Sequence, residues 1–187
     1  PQALIVCPTR ELCLQITNDI TTFAKFSKGM HIEAVYGGAS IVMQIRNLKR
    51  GVQIVVATPG RLIDLIERKA IDLQKVKYVV LDEADEMLNM GFRDDIDFVL
   101  KNTINRESTW LFSATMPPEV RAISKNYMTQ PKEITVGKKN SGNANIAHQY
   151  FVVPVQHRYE VLKRVIDFNP GMYGIIFTRT KADAQDI

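Results

Sequence analysis

The sequence predicts an α/β fold: a parallel sheet with helices packed on both faces. Three observations carry that expectation. Short apolar runs rich in β-branched residues recur along the first 136 residues, and they are apolar throughout, as strands buried on both faces require. Between them lie segments whose apolar residues return every three to four positions, the helical period. The two periods alternate, which is how parallel strands joined by crossover helices look in sequence.

Taken in order, the expected strands are 3–7, 32–36, 53–57, 77–81, 109–112 and 133–136. Leu12, Ile16, Ile20 and Phe23 mark one helix face, and Leu62, Ile63 and Ile66 a second. Phe92, Ile96, Val99 and Leu100 mark a third, and Val120, Ile123 and Tyr127 a fourth. From Gly137 to Asn145 the chain carries Gly, Lys, Asn and Ser with almost no apolar anchor, so 137–146 is expected to be a linker. Beyond it the alternation resumes. A strand is expected at 149–153, a helix at 155–168 on Tyr159, Leu162, Val165 and Ile166, a strand at 174–177, and a helix start at Lys181. Residues 1–136 thus form most of one α/β domain, and 147–187 the opening of a second.

Composition narrows the class. The 187 residues are 45% apolar and 24% charged, too apolar for disorder. The longest apolar runs hold about five residues, where a membrane crossing needs ~20. The net charge of +4 permits a nucleic-acid partner without requiring one. Cys7 and Cys13 are the only cysteines and form no C-x-x-C, so they read as buried reduced thiols, and the expected location is cytoplasmic. His31, His148 and His157 are scattered and offer no zinc-ligand spacing. The chain opens on Pro1-Gln2 and closes inside a helical pattern, so it reads as an internal piece of a longer protein.

In an open parallel sheet, ligands bind beyond the carboxyl ends of the strands. The residues just past each strand are therefore informative. After 77–81 comes Asp82-Glu83-Ala84-Asp85-Glu86: an apolar strand that delivers carboxylates at its tip. Asp82 can hold Mg²⁺, directly or through water, and Glu83 can polarise an attacking water. The plain alternative is acidic residues favoured by a helix N-terminus. After 109–112 comes Ser113-Ala114-Thr115, two hydroxyls able to bond a neighbouring carboxylate such as Asp85, or simply to cap a helix. Pro8-Thr9-Arg10-Glu11-Leu12 and Thr58-Pro59-Gly60-Arg61 each place Thr at an N-cap and Arg in the first turn. A helix start with free N–H groups, a hydroxyl and an Arg is also a phosphate site, and its repetition along one sheet edge suits a polymer backbone. Gly37-Gly38, after 32–36, adds a strand end where backbone can approach a ligand closely.

In this order the five segments resemble the DEAD-box ATP-dependent RNA helicases of superfamily 2 across 1–136. Residues 147–187 resemble the start of that family's second RecA-like domain, with Gly174 to Thr180 where its fourth motif falls. The resemblance implies a RecA-like sheet, with ATP and Mg²⁺ as cofactors and single-stranded RNA or short RNA duplexes as partner. It implies that Asp82 binds Mg²⁺–ATP, usually through water, and that Glu83 orients or deprotonates the hydrolytic water. It implies that Asp85 bonds Ser113 and Thr115, linking hydrolysis to domain closure. Pro8, Thr9, Arg10, Gly38, Thr58, Pro59, Gly60 and Arg61 would line the RNA, through phosphate and sugar contacts indifferent to sequence. Phe177 would lie near the ATP cleft, and reads more simply as core.

The sequence also departs from that family. No G-x-x-x-x-G-K-[ST] is present: Gly137 and Gly142 have the spacing, but Asn143-Ala144 comes next. The family's P-loop precedes its first RNA motif, and its arginine fingers come after its fourth. The 187 residues by themselves are therefore expected to bind RNA weakly and to turn over ATP negligibly. A non-catalytic RNA-binding or annealing module of the same fold is the alternative. A DNA helicase or other remodelling translocase is disfavoured by Asp85, where many relatives that move along duplexes carry His.

Overall fold

The computed structural model describes residues 1–136 and 146–187. It divides into two units, Pro1–Ser141 and Gly142–Ile187. The expected linker, 137–146, lies outside the described residues except for Ile146.

In the first unit β1 (Ala3–Val6), β2 (Ile32–Val35), β3 (Ile54–Ala57), β4 (Tyr78–Leu81) and β5 (Ser108–Leu111) form one sheet in the order β2-β3-β1-β4-β5. Every neighbouring pair is parallel. The helices are α1 (Arg10–Phe23), α2 (Ile41–Lys49), α3 (Pro59–Glu67), α4 (Ala84–Asn89), α5 (Arg93–Asn102) and α6 (Pro118–Tyr127). The strand period of two sorts the side chains into two cores. Leu4, Val6, Val35, Val55, Ala57, Val79 and Leu81 face one way, onto Leu62, Leu65, Met87, Ile96, Val99, Leu100 and Ile123. Ile5, Ala34 and Val56 face the other, onto Leu12, Cys13, Ile16 and Ile20 of α1. Helices therefore cover both faces, as expected. Among the described residues, little covers the α1 side of β4 and β5: Tyr78, Trp110 and Phe112 are all exposed there.

The register positions the site. Val35 pairs with Ala57, Ala57 with Val6, Val6 with Leu81 and Leu81 with Leu111. The last residues of all five strands thus stand in one row across the sheet. The first loop residue on each of four strands donates its N–H to the neighbouring strand's last carbonyl. These bonds are Thr58 to Val35 (2.9 Å), Cys7 to Ala57 (3.0 Å), Asp82 to Val6 (2.9 Å) and Phe112 to Leu81 (2.8 Å).

Several expectations need correction. Phe23 is exposed rather than part of the buried stripe, because it ends α1 where the chain turns into a short 3₁₀ segment, Ala24–Phe26. Residues 133–136 form no strand. Pro131, Lys132 and Ile134 line a groove of about 640 Å³ opposite β5 and are not paired with it. Helix α2 is an addition to the expected elements, although Ile41, Ile45 and Leu48 have helical spacing and pack on the larger core.

The second unit holds a 3₁₀ turn (Val155–His157), α7 (Arg158–Phe168) and α8 (Lys181–Asp186). Helix α8 begins on a reciprocal cap: the Asp183 N–H donates to Thr180 Oγ1 (3.1 Å), and the Thr180 N–H donates to Asp183 Oδ2 (3.2 Å). The segments 149–153 and 174–177 carry no strand, and Tyr150, Phe151, Val152, Ile175 and Phe177 are exposed. A strand exists only where a neighbour takes its backbone hydrogen bonds, and none does so among the described residues. Phe177 is accordingly not core.

Leu4 sits fully buried on the central strand, so Leu4→Ala should cost about 2–5 kcal/mol in urea denaturation. Phe26→Ala, at an exposed position, should change stability by less than about 0.5 kcal/mol.

Candidate active site and nucleic-acid interface

The row of strand ends divides into an acidic half, beyond β4 and β5, and a basic half, beyond β2, β3 and β1. The candidate catalytic and RNA-facing residues in 1–136 lie along this one rim.

Asp82 comes directly after β4. Its Oδ1 accepts the Glu83 N–H at 3.0 Å, and its other oxygen makes no hydrogen bond among the described residues. Glu83 is exposed and adopts a left-handed conformation, φ 50° and ψ 51°. It occupies the N-cap position of α4, yet its side chain makes no capping bond. Helix capping therefore does not account for this carboxylate, and the backbone holds it at a conformational cost of about 1–2 kcal/mol.

Asp85 stands one turn on. Its Oδ2 accepts both the Thr115 hydroxyl (2.6 Å) and the Thr115 N–H (2.8 Å), and its Oδ1 accepts the Glu86 N–H (3.1 Å). Ser113 Oγ accepts the Asp85 N–H (3.3 Å) and donates to the Thr115 carbonyl (2.6 Å). The structure thus brings Ser113 and Thr115 to Asp85, with Ser113 bonded to its backbone and Thr115 to its carboxylate. Partial desolvation works to raise the Asp85 carboxyl. The bonds from Thr115 and the Glu86 N–H outweigh it and hold the group below the ordinary aspartate value of 3.8.

Among the described residues no cluster of three His, Cys, Asp or Glu could hold a metal. One half-buried carboxylate with a free oxygen suits Mg²⁺, which keeps several waters and binds through one or two carboxylates plus phosphate oxygens. Asp82 fits that donor set.

On the basic half, Pro8, Arg10, Gly37, Thr58, Gly60, Arg61, Asp64 and Phe92 line an open groove of about 490 Å³. The two Thr–Arg segments differ in detail. Thr9 Oγ1 accepts the Leu12 N–H (3.3 Å) and so caps α1. Thr58 caps α3 through its backbone alone, and its hydroxyl makes no hydrogen bond among the described residues. Pro59 is buried as the first residue of α3 and is not among the groove-lining residues. The Arg10 guanidinium lies 5.1 Å from the centre of the Tyr36 ring. A Cβ on Gly38 would meet Arg10 Nη1 at 3.5 Å, an ordinary contact, so what requires glycine there is φ +82°. Arg61 Nη1 donates to the Ala39 carbonyl (3.0 Å) and to Gln44 Oε1 (2.9 Å). Gln44 Nε2 in turn donates to the Tyr36 carbonyl (3.2 Å).

Sequence reasoning missed Tyr36, Gln44, Asp64 and Phe92. Gln44 had a readable signal: a polar residue between Ile41, Ile45 and Leu48 on an apolar helix face. Below the rim, Cys7 and Cys13 are buried and free, as expected. Cys7 Sγ donates to the Ala57 carbonyl (3.7 Å) and Cys13 Sγ to that of Val56 (3.3 Å). The neighbouring Cys13 thiol, with burial, pushes the Cys7 thiol well up.

Comparison with known proteins places these features. The sequence model of the family described as DEAD/DEAH box helicase matches residues 1–123. The chain is 42% identical over 187 residues to the ATP-dependent RNA helicase DeaD of Mycobacterium tuberculosis, covering all of this chain and 33% of that protein. It is 40% identical over 186 residues to the DEAD-box ATP-dependent RNA helicase CshA of Bacillus subtilis, covering 37% of that protein. The chain thus spans about a third of the length of these curated relatives. Among solved structures, a DEAD box protein from the hyperthermophile Methanococcus jannaschii aligns with 99% of this chain and 49% of its own, at TM-score 0.68 and 42% identity. The yeast DEAD-box splicing factor Prp28 aligns with 89% of this chain and 39% of its own, at TM-score 0.72 and 33% identity. The parallel five-stranded sheet is that of a RecA-like domain.

Two measurements check the acidic half. Glu83→Gly removes the left-handed penalty and should raise stability by about 1 kcal/mol in denaturant titrations. Because the folded Asp85 carboxyl sits below 3.8, its bonds add stability above that pH, and this is lost as pH falls through the depressed value. Asp85→Asn should therefore be destabilised relative to the parent at pH 7, with the gap closing in strong acid.

Proposed function

The chain belongs to the DEAD/DEAH box helicase family, and from that premise we propose that it forms most of the first RecA-like domain, and the opening of the second, of an ATP-dependent RNA helicase that couples hydrolysis to RNA binding and local duplex unwinding. The observation that carries this reading is the single rim. Parallel register sets a Mg²⁺-compatible carboxylate and an uncapped glutamate beside an arginine-lined groove, all at strand carboxyl ends.

In this reading Asp82 holds Mg²⁺–ATP through water. Bound Mg²⁺ supplies charge neutralisation on the phosphates. Glu83, exposed and without a capping role, orients or deprotonates the hydrolytic water. Asp85, Ser113 and Thr115 form the hydrogen-bonded link that reports hydrolysis to domain closure. Pro8, Arg10, Thr58, Gly60 and Arg61 face the RNA strand. Thr9, Gly38 and Pro59 hold those residues in place. The contacts go to phosphate and sugar, so binding is sequence-independent and weakens with salt. Residues 137–146 join the two domains. The two free buried thiols support a cytoplasmic location.

The absence of a G-x-x-x-x-G-K-[ST] segment from these 187 residues favours a second reading for them in isolation: weak RNA binding without turnover.

In the full-length protein, Glu83→Gln should keep RNA and ATP binding within about twofold while steady-state hydrolysis falls roughly 100-fold or more. Turnover within twofold of the parent would refute the role given to Glu83.

A further inference from the structure

We propose that Gln44 is a positioning residue for RNA, acting through Arg61: its amide fixes the guanidinium at the groove while leaving the positive charge undiminished. This rests on the reading of the groove as an RNA site.

Gln44 is 4% exposed, on the inner face of α2. Its two amide ends do opposite work. Oε1 accepts from Arg61 Nη1 at 2.9 Å, and Nε2 donates to the Tyr36 carbonyl at 3.2 Å, in the loop that leads to Gly37-Gly38. A neutral amide supplies an acceptor and a donor at once; Glu has no donor when ionised and Met has neither a donor nor a strong acceptor. The second Nη1 hydrogen goes to the Ala39 carbonyl at 3.0 Å. Nη1 is thereby satisfied, and Nη2 and Nε make no hydrogen bond among the described residues. The guanidinium plane is fixed with two of its three nitrogens unspent.

The partners are all neutral. The acidic residue on the groove wall, Asp64, is instead paired with Arg68. A guanidinium held by a carbonyl and an amide keeps its full charge for a phosphate, whereas one held by a carboxylate would not.

The test measures binding of a fluorescein-labelled 12-mer oligouridylate by the full-length protein, with a non-hydrolysable ATP analogue, across a salt series. Arg61→Ala should weaken binding about tenfold and lower the salt slope by roughly 0.7. Gln44→Met should weaken binding about threefold to tenfold, with no further loss when combined with Arg61→Ala. Gln44→Glu, which keeps the acceptor but neutralises the guanidinium, should lower the salt slope as Arg61→Ala does; it also serves where Gln44→Met does not fold. Equal losses from Gln44→Met with and without Arg61 would overturn the proposal, as would an unchanged slope in Gln44→Glu. If Arg61→Ala itself leaves binding unchanged, the RNA reading of the groove falls instead, and this inference falls with it.

Discussion

A parallel ladder makes every strand point the same way, and here its register goes further. Five strands end in one row, and four backbone hydrogen bonds tie the first residue of a loop to the last carbonyl of its neighbour. Each functional loop therefore starts at a fixed height above the sheet. An Asp at the tip of β4 and an Arg in the first turn of α1 are far apart in sequence, yet they share a rim because Val6 sits between Ala57 and Leu81. The buried Leu and Val residues act on function through this geometry. They hold the row level, and the row sets which side chains meet.

The two halves of the rim hold their charged groups in a common way. Asp85 is held by a hydroxyl and backbone N–H groups, Arg61 by a carbonyl and an amide, and Arg10 over a tyrosine ring. The ion pairs that the structure describes, Asp64–Arg68, Lys77–Glu107 and Arg93–Asp97, involve none of Arg10, Arg61, Asp82, Glu83 or Asp85. Neutral partners fix position without cancelling charge, so the rim keeps both an acidic and a basic pole facing solvent. Glu83 extends the pattern: its backbone is strained and its carboxylate makes no capping bond.

Much of this was legible in the sequence, because apolar runs and helical spacing report burial directly. All five strands of the sheet lie within a residue or two of where the apolar runs put them, and the Asp85–Thr115 pairing agrees with both residues lying at strand ends. What escaped were features set by tertiary contact. In helix α2 the exposed Val42 and Met43 blur the apolar stripe, and its inward face includes a glutamine whose partners, Arg61 and the Tyr36 carbonyl, lie in other elements. Thr9 and Thr58 look alike in sequence, but only Thr9 spends its hydroxyl on a cap. Segments 133–136, 149–153 and 174–177 have strand composition and no strand pairing, since β-propensity describes a fit to neighbours and not a property of the segment.

The open face over β4 and β5 gives the molecule an optical property. Trp110 is the only tryptophan, and it stands 56% exposed on the edge strand, between Tyr78 and Phe112 on a face that α1 does not reach. Its indole is wet, so its fluorescence should emit toward the red. Anything that dries this side of the sheet would move the emission toward the blue, with no label attached and no competing indole in the 187 residues.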